Sequence, residues 1–241
     1  MPVFWLSDKD LSFPHPELAN EDGILAVGGD LSVERLLLAY QNGLFPWYNP
    51  EDPILWWSPD PRFVLFPADL KIAKSMRSYF NQRKFEVTFD QEFERVINSC
   101  KRQPRKGQGG GTWISDDMVA AYCNLHKEGY AHSVEVWQGE DLVGGLYGIF
   151  LGKIFFGESM FSTENNASKV GFIALVRMLE DRGVNLIDCQ QETRHLKSLG
   201  GKSIPRSEFL QIIELNKKEK NLRQTWKGMV EDPFKNIFKK H

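Results

Sequence analysis

The amino-acid sequence predicts an α+β protein. A small N-terminal α/β domain over residues 1–66 is followed, over 67–241, by a larger domain with a mixed, mostly antiparallel sheet flanked by helices. Three observations predict it. Residues 132–157 form strand-like runs separated by a Gly139-Glu140 turn, the pattern of an antiparallel meander. A long amphipathic helical stretch (167–182) is then followed by a short apolar run (184–188) and another helical stretch (206–216). Residues 1–66 differ from both, being rich in Pro, Trp and Gly with only short hydrophobic pieces.

Taken in order, Ser32 caps a helix through Leu36, Leu37 and Tyr40, with Glu34 in its first turn and Gly43 past its end. Residues 43–62 (GLFPWYNPEDPILWWSPDPR) hold too many prolines for a helix or a central strand. They predict an ordered, aromatic-packed loop leading into a short strand over 62–66. A helix over 72–81, a strand over 85–89 and a helix over 91–99 come next. Residues 101–111 (KRQPRKGQGGG) read as a mobile basic loop or a boundary. Ser115 with Asp116 and Asp117 opens a helix to Lys127 that stops at Gly129. Strands over 132–138, 142–150 and 153–157 lead to the C-terminal helices. This order of elements is similar to the acyltransferase fold of the GNAT type.

Composition limits the function classes. With 41% hydrophobic and 26% charged residues among 241, the chain is neither collagenous nor low-complexity nor largely disordered. Cys100, Cys123 and Cys189 form no C-x-x-C pair, so reduced cytosolic thiols are expected rather than a disulfide framework or a zinc cluster. The N-terminus lacks the basic and apolar regions of a secretory signal, and the apolar runs are too short to span a bilayer. A soluble, cytoplasmic, monomeric protein is expected. The net charge of −2 conceals a polarity. Residues 1–60 hold ten acids and two bases, whereas 71–106 hold ten bases and four acids. Such segregation suits a polyanion partner, although charge runs are more often solvated faces.

Four features stand out: Gly157-Glu158-Ser159-Met160-Phe161-Ser162 at a strand end, Asp188-Cys189-Gln190 at another, the aromatic loop with Trp47, Tyr48, Trp56 and Trp57, and Gly109-Gly110-Gly111-Thr112-Trp113. Strand ends are where α/β folds commonly hold functional groups. A carboxylate at Glu158, following Ile154-Phe155-Phe156, needs a partner if it sits against apolar surface; an exposed turn residue is the other reading. Asp188 alone reads as a loop cap, and Cys189 as a buried apolar residue. No phosphate-cradling glycine loop and no paired-histidine motif is present.

The strings AVGGDLS (26–32), FPWYNPEDPILWWSPDPR (45–62), GTWIS (111–115), AHSVEVW (131–137), LVGGLYG (142–148), GESMFS (157–162), NASK (166–169), LIDCQ (186–190), HLKSLGG (195–201) and IPR (204–206) strongly resemble the bacterial leucyl/phenylalanyl-tRNA–protein transferases. They run in order over most of the chain. The resemblance implies transfer of Leu or Phe, less readily Met, from aminoacyl-tRNA to the N-terminal amine of proteins beginning with Lys or Arg, marking them for N-degron proteolysis. No cofactor or metal is implied, because the aminoacyl ester already stores the driving force.

It also implies residue roles. Asp188 would orient and polarise Gln190, which contacts the attacking amine, the two sharing a face if the strand continues. Glu158 would bind the cationic acceptor terminus. Leu146, Phe155, Met160, Phe172 and Leu175 would form the aminoacyl side-chain pocket, with Leu146 where a Met is frequent. Trp47 and Trp113 would hold the 3′-terminal adenosine. Lys71, Lys74, Arg77, Arg83 and Lys84 are candidates for tRNA phosphate contacts. The tail after Leu215 matches no motif. A CoA-dependent N-acetyltransferase on the same fold would need a Q/R-x-x-G-x-G/A turn before the helix near Ala167, where the sequence reads Phe161-Ser-Thr-Glu-Asn-Asn-Ala-Ser. A non-catalytic tRNA-binding module gives no reason for Glu158, Asp188 and Gln190 to occur together.

Overall fold

The computed structural model describes residues 3–7, 9–103, 113–235 and 237–238. Its elements in chain order are β1 (Phe4–Leu6), β2 (Ile24–Gly28), α1 (Val33–Gln41), β3 (Phe45–Pro46), β4 (Leu55–Trp57), β5 (Arg62–Leu65), α2 (Arg77–Asn81), β6 (Glu86–Phe89), α3 (Phe93–Arg102), α4 (Asp116–Lys127), β7 (Ala131–Gln138), β8 (Asp141–Leu151), β9 (Ile154–Ser162), α5 (Ala167–Asp181), β10 (Leu186–Gln190), α6 (Arg194–Ser198), β11 (Lys202–Ile204) and α7 (Arg206–Asn216). Both predicted caps form: the Ser32 hydroxyl accepts from Arg35 N, and the Ser115 hydroxyl from Met118 N. Of the 101–111 loop, residues 104–111 lie outside the described residues.

Two sheets organise the chain. The smaller has the order β1-β2-β4-β3. It contains two strands within the Pro-rich segment, where the sequence predicts loop. They are short enough to escape any periodicity, and Pro46 sits on an edge strand, where its missing N–H breaks no ladder. The larger has the order β11-β5-β10-β9-β8-β7-β6, antiparallel except for the β9–β10 pair. β5, within residues 1–66, therefore pairs in the larger sheet, between β10 and β11. The helix expected over 72–81 is a 3₁₀ turn at Lys74–Met76 followed by the short α2. β9 runs to Ser162, so the GESMFS string lies inside a strand rather than after one.

Side-chain alternation sends the two faces of the larger sheet into two cores. Tyr147, Ile149, Leu151, Ile154 and Phe156 pack toward α1, α3 and α4. Leu146, Phe150, Phe155 and Ile187 pack toward α5. The sequence pattern of α5 looks amphipathic, yet residues 170–179 are all buried. The reason is the tail: Trp226 and Ile237 join the same core, and Ile237 O accepts from Arg177 Nε at 3.1 Å. A helix covered on all sides needs no polar face.

Gly148 is fixed by close approach. A Cβ there would stand 2.2 Å from Phe156 O and 2.5 Å from Phe155 Cζ, so Gly148→Ala should lower the unfolding free energy in urea by about 2 kcal/mol or more.

Candidate active site

Two neighbouring bulges build the site. β8 pairs Tyr147 with Ser159 and Gly148 with Gly157, which leaves Glu158 as the extra residue of β9. An extra residue changes the face on which the following side chains fall. Alternation from Phe156 keeps Glu158 on the α1/α4 side, and the extra residue shifts the phase so that Met160 falls on the α5 side with Leu146. On β10 the register slips between Asp188 and Gln190, and Gln190 takes a left-handed φ of 63°. The i,i+2 spacing therefore does not put Asp188 and Gln190 on one face of a continuing strand, and Cys189 lines the same cavity as Gln190.

Asp188 is fully buried and paired with Arg62, whose Nε and Nη2 donate to its two oxygens at 2.8 and 2.6 Å. The Arg62 guanidinium is held between the rings of Phe45 and Phe209, 4.7 and 4.5 Å from their centroids. Asp188 also accepts the main-chain N–H of Gln190 at 3.0 Å; it meets Gln190 through this bond, not through the side-chain amide. It lies behind the cavity wall rather than on it.

Glu158 is 9% exposed. Tyr40 Oη donates to it at 2.8 Å, Tyr122 Oη at 2.9 Å and Gln190 Nε2 at 2.9 Å, while the two tyrosine hydroxyls also touch each other. The two tyrosines bring two hydroxyl protons to this cluster. Burial, together with the nearby Glu158 carboxylate, holds both phenols well above their ordinary range, so they keep those protons. Burial raises Glu158 to about 7 against the hydrogen bonds donated to it. This carboxyl can hold or release a proton near neutrality. Burial also pushes the Cys189 thiol up, which disfavours a nucleophilic role.

A cavity of about 430 Å3 opens beside these groups. Leu146, Phe155, Met160, Phe172 and Ile187 line its apolar part; Glu158, Gln190 and Thr193 are polar groups on its wall. Leu175 does not line it and is buried in α5 within the same core. Trp47 and Trp113 both line it, and Trp47 packs against Trp57 at 5.3 Å. Gly109–Thr112 before Trp113 lie outside the described residues. Lys71, Lys74, Arg77, Arg83 and Lys84 are all exposed and line no part of the cavity. The Lys71 amide donates to Leu199 O at 2.9 Å, three residues past the cavity-lining Leu196, so the basic segment is tied to the cavity's α6 side.

Family models decide the relationship. Residues 64–214 match the leucyl/phenylalanyl-tRNA protein transferase model, and residues 29–60 match that of its N-terminal domain. The chain belongs to the leucyl/phenylalanyl-tRNA–protein transferase family. A leucyl/phenylalanyl-tRNA–protein transferase of Desulforapulum autotrophicum is 52% identical over 94% of this chain and 98% of its own. One of Christiangramia forsetii is 60% identical over 83% and 95%. Among solved structures, a GCN5-related glucosamine N-acetyltransferase region of a fungal multi-domain GH3 β-N-acetylglucosaminidase overlaps 74% of this chain and 23% of that one, at a TM-score of 0.41 and 11% identity.

Against this family background, sequence reasoning missed Arg62, Tyr40 and Tyr122. A lone Arg opening the apolar run Phe63-Val64-Leu65-Phe66 was a usable signal, because a buried guanidinium demands a carboxylate. The tyrosines gave none, since each occupies an ordinary apolar position of its helix.

This geometry has two measurable outcomes. Asp188→Ala strands a buried guanidinium and should cost about 3–5 kcal/mol in denaturant unfolding, whereas the double variant Arg62→Met/Asp188→Leu should recover most of it. For Glu158 the folded value lies above the ordinary 4.5, so its stabilising contribution is full below pH 4.5 and is lost as pH rises through about 7. The stability difference between the wild type and Glu158→Gln should therefore move by about 3 kcal/mol against the wild type between pH 4.5 and 8, measured by urea titration at each pH.

Proposed function

We propose that this protein transfers Leu or Phe, and less readily Met, from aminoacyl-tRNA to the N-terminal amine of proteins beginning with Arg or Lys, marking them for N-degron proteolysis, and that it acts as a cytoplasmic monomer. The observation that carries the reading is one cavity of about 430 Å3 with an apolar part, two tryptophans on its wall, and a carboxyl, raised by burial to about 7, beside an amide.

In this reading the aminoacyl side chain enters between Leu146, Phe155, Met160 and Phe172, with Leu175 supporting Phe172 from within the helix. The flexible Met160 suits both aliphatic and aromatic shapes, and β-branched side chains fit poorly. Trp47 and Trp113 hold the terminal adenosine by stacking. The acceptor amine must arrive neutral to attack the ester carbonyl. Its nitrogen forms the new C–N bond, the ester C–O bond breaks, and the proton leaving nitrogen ends on the ribose oxygen.

Gln190, its Nε2 engaged by Glu158, presents its carbonyl oxygen as acceptor to the amine. Glu158 in its ionised form pairs with the cationic Arg or Lys side chain of the acceptor terminus and relays the proton from its amine. Asp188 acts through the backbone, holding the N–H of Gln190 and so its left-handed turn, rather than by polarising the side-chain amide. The exposed Lys71, Lys74, Arg77, Arg83 and Lys84 bind acceptor-stem phosphates without reading sequence.

The test is transfer of radiolabelled Leu or Phe from charged tRNA to a peptide with N-terminal Arg, beside an acetyl-CoA control. Transfer from tRNA that rises with pH through about 7, with that limb lost in Glu158→Gln, supports the reading. Transfer from acetyl-CoA alone, or none, defeats it.

A further inference from the structure

The family model ends at residue 214, and the tail beyond it carries no motif, yet the tail packs against Phe155, a residue of the cavity wall. After α7, Asn216 and Asn221 cap the β8–β9 turn: the Asn216 amide accepts from Lys153 N and donates to Leu151 O, and Asn221 Oδ1 accepts from Gly152 N. Arg223 Nε then donates to Tyr130 Oη at 2.7 Å. The chain next delivers Trp226, 2% exposed, into the core under α5.

Hydrogen bonding and ring packing hold Trp226. Its main-chain N–H donates to Asp90 Oδ2 at 2.6 Å, and the same oxygen meets His132 Nδ1 at 2.8 Å. Its indole stacks on His132 at 3.8 Å between centroids with the planes 3° apart. It also packs on Phe150 and Phe155, at 5.8 and 6.0 Å. Phe155 is the residue that matters. It lines the cavity and lies against Gly148, where even a methyl group would collide with its ring. With Gly148 and Trp226 both packed against it, the Phe155 ring has little room to retreat.

We propose that Trp226, anchored by Asp90 and stacked on His132, sets the depth of the aminoacyl side-chain pocket through Phe155, which makes the C-terminal tail a determinant of donor selection. The proposal rests on the reading of this cavity as the aminoacyl pocket. Trp226 is a positioning residue and touches no substrate. Depth matters because Leu and Phe differ mainly in how far they reach, and a mismatch of about one methylene in such a pocket is worth roughly 10-fold or more in selectivity. The space for movement exists: Trp226 also lines a separate groove of about 490 Å3 between β6 and residues 228–234.

The indole N–H of Trp226 has no hydrogen-bond partner among the described residues, so Trp226→Phe removes ring volume without breaking one. The experiment compares kcat/KM for Phe-tRNA and Leu-tRNA in the full-length wild type, Trp226→Phe, Trp226→Leu and Asp90→Asn, with Phe155→Leu as comparator and circular dichroism as the folding control. With Phe155 free to settle back, the Phe/Leu ratio should rise by roughly 5- to 10-fold in the Trp226 variants and less in Asp90→Asn. Where Trp226→Leu does not fold, Trp226→Phe decides. A ratio within about twofold of wild type in the folded variants, while Phe155→Leu shifts it, overturns the proposal; general damage to the fold would lower both substrates alike. Wild-type protein that transfers neither amino acid would instead overturn the underlying reading of the cavity, and this proposal with it.

Discussion

Two opposite charges taken fully out of water, Arg62 and Asp188, bind β5 to β10 and shape the site around them. The pair is bidentate and its guanidinium is covered by Phe45 from β3 and by Phe209 from α7, so four elements meet at one ion pair. Burial of two ions is costly unless geometry and further hydrogen bonds offset it. Asp188 meets that demand by also taking the N–H of Gln190, and that third bond accompanies the turn of β10 out of its ladder. The ion pair and the irregular strand are one arrangement. The site amide stands where it does because the carboxylate before it is occupied elsewhere.

The neighbouring strand reaches a similar solution by a different route. On β9, Glu158 shares the face of Phe156 and meets two phenols rather than a base, with the bulge following at this position. Without a cationic partner, the carboxyl answers burial by holding its proton to a higher pH. Two acidic groups two strand positions and one bulge apart thus meet opposite surroundings: Asp188 pairs with Arg62, and burial among hydroxyls raises Glu158 to about 7. Separation of this kind allows one site to keep a fixed charge for architecture and a movable proton for chemistry.

The tail supplies a third constraint. A helix as buried all round as α5 requires cover, and residues beyond 216 contribute to it while passing over the β8–β9 turn and into the core behind Phe155. Cover for the core and definition of the cavity wall are accordingly performed by the same stretch of chain. The basic face shares the tail as well, since Arg83 pairs with Asp232 and the Arg77 guanidinium lies over Phe238.

What the sequence by itself determined was local: the capped helices at Ser32 and Ser115, the meander of β7 to β9, and the strings that carry the family resemblance. These depend on residues within a few positions of one another, where capping hydrogen bonds and side-chain period act directly. The tertiary structure alone decided the partners. Arg62 meets Asp188 across 126 positions, and Tyr40 meets Glu158 across 118. It also decided the bulges, since an extra residue is defined only against the strand beside it, and the fate of a tail whose aromatic residues look unremarkable until Trp226 is found stacked on His132. Position along the chain encodes which groups are present. Whether a carboxyl is charged, and which face it points from, depends on what burial brings against it.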